Sequence, residues 1–240
     1  LGLRFATPFV FDDAWRALLA AAAGQCGQAL ERARLLEAER LARSNLGFLL
    51  EASRLLSSSL DVGTTLQTLT ELIVPRVADW CGIELVGDDG VVRLAGLAHK
   101  DPAHQQALVE LRAAHPVEPD APHGVAQVLR TQQAELYRDI PDEMLAMSPS
   151  PPDYKAVIRR VGLRSSLVLP LSSSAGAEKP LGAIVFALGE GVRRFTDADV
   201  DLAKEIAARA ATAIENARSH TELQRAKNDL DSALRSKDEF

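Results

Sequence analysis

Residues 165–188 read SSLVLPLSSSAGAEKPLGAIVFAL, and their reading decides the fold. Two apolar runs, Ser165–Leu171 and Leu181–Leu188, flank the small polar loop SSSAGAEK, the pattern of two strong strands joined across a hairpin tip. Working outward, Trp80–Val86 alternates as a strand, Asp88-Asp89-Gly90 makes a turn, and Val91–His99 is the partner strand. Glu135–Tyr137 adds a brief strand. Between these lie helical stretches at 101–114, 124–132 and Tyr154–Val161, a helical turn around Glu143–Met147, and a proline-broken loop over 116–123. Hairpins without parallel βαβ repeats indicate an antiparallel sheet with helices packed on it, an α+β architecture.

Long helices bracket this unit. Residues 12–59 read as one helix that no proline interrupts, with Asp12 and Asp13 at its positive end. Its apolar positions include Leu18, Ala22, Ala29 and Leu36, and Glu31, Arg32, Glu39 and Arg40 fill the other faces. A second helix begins at Asp61 and runs to about Val77. The last begins after Phe195-Thr196 and runs to Ser236 or beyond. Ala203, Ile206, Ala210, Ala213 and Ala217 have the 3-4 spacing of a coiled-coil seam, and Leu223, Leu230 and Leu234 carry an apolar stripe onward. The first and last helices are copies of one another. FDDAWRALLAAAAGQCGQALERAR at 11–34 overlays FTDADVDLAKEIAARAATAIENAR at 195–218, matching at Phe11/Phe195, Asp13/Asp197, Leu18/Leu202, Glu31/Glu215 and Arg34/Arg218. A Leu-Gly pair precedes each copy, at Leu1-Gly2 and Leu181-Gly182. The repeat reads as a tandem array in which the tail of one domain precedes a second, similar one.

Composition excludes several classes. The 240 residues, 47% of them hydrophobic, suffice for a real core, while a net charge of −6 leaves no basic footprint for nucleic acid. Cys26 and Cys81 have no CxxC spacing, exclude an iron–sulfur site by number and read as small buried hydrophobes. The longest apolar stretch, Ala17–Ala23, is far short of a membrane span, and no signal peptide is visible, so the expected location is cytoplasmic. No nucleophile elbow, phosphate loop or metal-ligand spacing is present, and the expectation is a non-catalytic segment.

The residues Pro75-Arg76-Val77-Ala78-Asp79-Trp80-Cys81, the turn Asp88-Asp89-Gly90, the strand Gly162-Leu163-Arg164-Ser165-Ser166-Leu167-Val168-Leu169-Pro170-Leu171, the strand start Leu181-Gly182-Ala183-Ile184 and the helix start Phe195-Thr196-Asp197-Ala198-Asp199 together resemble a GAF domain, the small ligand-sensing module of bacterial signalling proteins. The resemblance covers about residues 45–222. It implies an antiparallel sheet of five to six strands with flanking helices, plus the long coiled-coil-like helices at both ends. It also implies a division into the tail of a preceding GAF-like domain (1–38), a signalling-helix linker (39–60), a GAF domain (61–222) and a coiled-coil linker (223–240) leading to an output domain. The final residues, Ser236-Lys237-Asp238-Glu239-Phe240, resemble the lead-in to the phosphoacceptor helix of sensor histidine kinases.

A GAF domain of this kind would bind a small molecule between its sheet and the variable middle, residues 99–165. The candidate polar lining is His99, His123, Tyr137, Asp139, Tyr154, Arg164 and Ser166. Arg164 begins a buried strand, where it would meet an anionic ligand or a carboxylate such as Asp139. The family's cyclic-nucleotide signature is not met, no cysteine lies where a bilin would attach, haem is not expected, and the cofactor stays unknown. The expected partner is a second copy of the chain, paired through Leu18, Ala22, Ala29, Leu36, Ala203, Ile206, Ala210, Ala213, Ala217, Leu223 and Leu230. The functional expectation is a sensory module of a two-component sensor histidine kinase. The alternatives are a ligand-free dimerisation spacer and a regulator of a different output, a cyclase or phosphatase.

Overall fold

The computed structural model of the chain describes residues 12–59, 61–172 and 180–238, with side chains through Asn228. The first strand-like run at Leu1-Gly2, the helix residue Phe11, the hairpin tip at 173–179 and the last two residues of the Lys-Asp-Glu-Phe ending lie outside the described residues, as do the side chains of Leu230 and Leu234. The chain divides into two units, 1–48 and 49–240.

In the first unit, residues 13–47 of helix α1 (Asp13–Ser57) are almost wholly exposed. Cys26 is therefore exposed, not a buried hydrophobe, because among the described residues of its unit nothing packs on the helix face around it. Leu18, Leu30, Leu35 and Leu36 are also exposed.

The second unit is built on five antiparallel strands, β1 (Trp80–Val86), β2 (Val92–His99), β3 (Glu135–Tyr137), β4 (Ser165–Leu171) and β5 (Gly182–Leu188), in the order β2-β1-β5-β4-β3. Every residue of β5 is buried, as expected of a central strand covered on both faces. Alternation then divides the sheet. Ile83, Leu167, Leu169, Ile184 and Phe186 are at most 2% exposed and face α2 (Val62–Ile73) and α7 (Asp197–Asp238). Trp80, Gly82, Glu84, Val168 and Val185 point to the opposite face, beneath α3 (Pro102–Ala114), α4 (Val125–Thr131), α5 (Asp142–Met147) and α6 (Pro152–Val161).

Helix α2 ends at Ile73, four residues before the expected Val77. Val74 precedes Pro75, which disfavours helical dihedrals at the residue before it, and Val74 is extended. Helix α2 also closes the edge of the sheet. Gln67 Oε1 accepts from the Leu97 amide at 3.0 Å and its Nε2 donates to the Leu97 carbonyl at 3.1 Å, so a side chain substitutes for a missing strand at β2. The approach is tight enough that a Cβ on Gly96 would stand 2.9 Å from the Leu66 carbonyl oxygen.

The alanine stripe of α7 serves a different surface from the one expected. Ala203, Ile206, Ala210 and Ala217 are buried in the domain's own core, and Ala213 is half-buried. The four buried positions are therefore not available to a second chain: small side chains let α7 lie close on the sheet, and the same 3-4 spacing serves that purpose. The last turns of α1 join the same layer through buried Ala52 and Leu56, with the Arg209 guanidinium donating to Ser53 Oγ at 2.6 Å. Thr196 and Asp199 cap α7 reciprocally: the Asp199 carboxylate accepts from the Thr196 amide at 2.9 Å, and the Asp199 amide donates to Thr196 Oγ1 at 3.2 Å.

Asp79 ties the ends of three strands together. Its backbone bonds to Ala187 and Lys100, and its carboxylate accepts from the Gly189 amide at 2.7 Å and meets Lys100 Nζ at 2.9 Å. Burial alone would raise this carboxyl, but the Gly189 amide and Lys100 ammonium outweigh it and hold the group below the ordinary carboxylate range. A depressed folded pKa stabilises above the unfolded value and loses that contribution as pH falls through the folded one. Asp79→Asn should therefore cost about 1–2 kcal/mol at neutral pH. The gap between variant and wild type in urea denaturation should close below about pH 4.

Candidate functional site

Beneath the helical middle the sheet leaves a cavity of about 890 Å³, within the range of pockets that enclose drug-sized ligands. Its floor is the front face of β1, β4 and β5, and its walls come from α3, α6 and the 116–126 and 144–155 segments. Two apolar clusters flank it. One gathers Leu97, Leu108, Leu111, Ile158 and Val161, the other Val125, Val128, Val168, Ala183 and Val185, and Trp80 packs against both.

The buried, unpaired polar atoms of the lining lie on β1. Glu84 lies on the cavity-facing side of an otherwise apolar strand and is 3% exposed. One carboxylate oxygen, Oε1, pairs with Arg112 of α3 at 2.8 Å. The other, Oε2, is buried without a hydrogen-bond partner, and so is the indole Nε1 of Trp80. Burial pushes the Glu84 carboxyl up, and the Arg112 guanidinium pulls it part of the way back. A register shift adjoins this residue: Ile83 pairs with Gly96 but Glu84 with Leu94, leaving Ala95 as a bulge on β2. Bulges of this kind re-aim side chains beside binding sites. Between Trp80 and Glu84, Gly82 leaves the floor bare, and a Cβ built there meets nothing within 4 Å.

Four of the residues expected to line a pocket do line this one: His123, Tyr137, Tyr154 and Ser166. Tyr137 donates to Glu135 Oε1 at 2.7 Å and lies 3.0 Å from His123 Nδ1. Burial and then the Glu135 carboxylate push the phenol up to about 12. The other three lie elsewhere. His99 Nδ1 accepts from the Asp101 amide at 2.8 Å, at the start of α3. Arg164 pairs with Asp142 at 2.6 Å, not with Asp139, which instead accepts from Arg194 at 2.9 Å. The lone carboxylate in the strand WCGIELV, four residues after a tryptophan, is the signal that would have found Glu84. Among the described residues no group of His, Cys, Asp and Glu could hold a metal ion, and no helix is long and apolar enough to cross a membrane.

Comparison with known proteins places this geometry. The family model described as GAF domain matches residues 59–215. The GAF domain from a phosphoenolpyruvate-protein phosphotransferase of Coxiella burnetii is similar at 16% identity and a TM-score of 0.55, over 75% of this chain and 98% of that one. That of an Acinetobacter phosphoenolpyruvate-protein phosphotransferase is similar at 15% identity and 0.53, over 72% and 94%. A GAF domain/HD domain protein of Geobacter sulfurreducens is similar at 20% identity and 0.52, over 68% and 97%. At these identities the likeness is one of fold. No curated protein matches the chain.

Breaking the Glu84–Arg112 pair tests how far the cavity floor depends on it. Arg112→Met should cost about 3 kcal/mol at neutral pH, because it strands a buried carboxylate. The folded state would then hold the Glu84 proton more tightly than the unfolded state, so the stability of the variant should decline as pH rises from about 4.5 to 7.5. Adding Glu84→Leu should restore most of the loss and flatten the pH profile in chemical denaturation.

Proposed function

The chain belongs to the GAF domain family, and from that premise we propose that it is a non-catalytic sensory module that binds a small molecule in the cavity and passes its state to a downstream domain through paired helices. The observation that carries the reading is the two-sided sheet. Val168 and Val185 face the cavity, while their strand neighbours Leu167, Leu169, Ile184 and Phe186 face the helical layer that contains α7. A ligand that shifts β4 or β5 therefore presses on the helix that leads out of the domain. The open cavity favours this reading over that of a ligand-free spacer, whose front face has no need of such a space.

The output we propose is a histidine kinase, with the chain dimeric and cytoplasmic. In this reading 1–38 is the tail of a preceding GAF-like domain, 39–60 a signalling helix, 61–222 the sensory domain and 223–240 a connector. The Ser-Lys-Asp-Glu-Phe ending supports the kinase output through its resemblance to the lead-in of a phosphoacceptor helix. Exposed leucines support pairing: Leu18 and Leu36 on α1, with Ala22 and Ala29 between them, and Leu223 on α7 at 71% exposure. Apolar stripes on long helices are buried most simply against the same stripe of a second copy.

Sedimentation equilibrium should return about twice the 25.8 kDa chain mass. Leu36→Glu combined with Leu223→Glu should shift the protein toward monomer without changing the thermal midpoint of the 49–240 unit. A wild-type monomer at micromolar concentration would overturn the dimeric relay.

A further inference from the structure

Resting on the ligand-sensing reading, the geometry points to a specific chemical class of ligand: we infer that the cavity takes an uncharged, largely apolar ring compound that presents an N–H to Glu84 Oε2 at one end and a carbonyl oxygen to Trp80 Nε1 at the other. The two orphaned atoms have opposite character, an acceptor and a donor, and both belong to residues that line the cavity. A buried polar atom left unpaired is costly, and nearly all such atoms in folded proteins find a partner. Among the described residues no protein group supplies one here.

The spacing fits a rigid bicycle or tricycle. Trp80 and Glu84 are four residues apart on one strand face, about 13 Å between Cα atoms in extended backbone, and both line the cavity. Between them the floor is Gly82 alone, so a flat ring can lie directly on the strand. Leu94, Leu108, Leu111, Val168 and Val185 supply the apolar walls.

Charge narrows the class further. The Arg112 guanidinium already offsets Glu84, and Lys155, the other cation on the lining, donates to the Ala146 carbonyl at 2.9 Å. An anionic ligand on the strand floor would meet the Glu84 carboxylate, whose one paired cation, Arg112, is already committed to it. An ammonium ligand at Glu84 Oε2 would stand beside the Arg112 guanidinium, a like charge held on the same carboxylate. A neutral lactam or vinylogous amide avoids both penalties.

The test uses the 240-residue chain and four probes of one shape: 4-quinolone, N-methyl-4-quinolone, naphthalene and quinoline-4-carboxylate, with binding read by isothermal titration calorimetry. 4-Quinolone should bind, and N-methylation should weaken it about tenfold or more by removing the donor to a charged acceptor. The carboxylate should not bind. Trp80→Phe keeps the ring and deletes the indole N–H; it should weaken 4-quinolone about three- to tenfold while leaving naphthalene unchanged. Gly82→Val, whose Cβ meets nothing within 4 Å and whose methyls occupy the floor, should abolish binding of every probe and leave the thermal midpoint equal or higher.

Equal affinity for 4-quinolone and its N-methyl analogue, or binding of the carboxylate, would overturn the assigned class. The cavity would remain the ligand site in that case if Gly82→Val still blocked binding. Binding that survives Gly82→Val, or no binding of any probe to wild type, would overturn the class and the ligand-sensing reading together.

Discussion

Everything in the domain depends on β5 being buried on both faces. A strand in that position has no solvent side, so its alternate residues must be matched by two different layers. On one side the match is complete: α2, α7 and the last turns of α1 cover Ile184 and Phe186, which are fully buried. On the other side the covering helices are short and joined by proline-rich connections, and they enclose space instead of filling it. The domain is thus filled behind and hollow in front.

The buried Glu84–Arg112 pair lies on the hollow side. Such a pair contributes little net stability compared with apolar residues of the same volume, since the desolvation of both ions offsets their attraction. It is also asymmetric here, with one carboxylate oxygen committed and the other left over. An arrangement serving stability alone would have used both. The bulge at Ala95, which interrupts pairing beside Glu84, makes the same point about the backbone: regularity is interrupted where the polar groups meet the cavity.

Much of the fold was legible in the sequence because alternation and helical periodicity report burial directly. The strands Trp80–Val86 and Ser165–Leu171 and the short Glu135–Tyr137 occur as their patterns indicate. Periodicity says that a face is buried but not against what, which is why the stripe Ala203–Ala217 reads equally as a dimer seam and as a face laid on the domain's own sheet. Proline supplied the other departure, ending α2 at Ile73. The cavity was partly legible: Tyr137, Tyr154, Ser166 and His123 fall on it, whereas His99, Asp139 and Arg164 are taken up by contacts at other places. The Glu84–Arg112 pair was not legible: the lone carboxylate of WCGIELV marks Glu84, but the pairing joins residues 28 positions apart through the packing of α3 on the sheet, and nothing local announces the partner.

The placement of Trp80 against both apolar clusters has an optical consequence. The chain carries two tryptophans: Trp80 in the cavity wall, and Trp15 on α1, 42% exposed. Their emission should separate by solvent polarity, the indole of Trp80 contributing the shorter wavelengths. A ring compound stacked against that indole would alter its quantum yield and leave the Trp15 band in place. The protein therefore carries its own spectroscopic gauge of cavity occupancy, with an internal standard on a different unit of the chain.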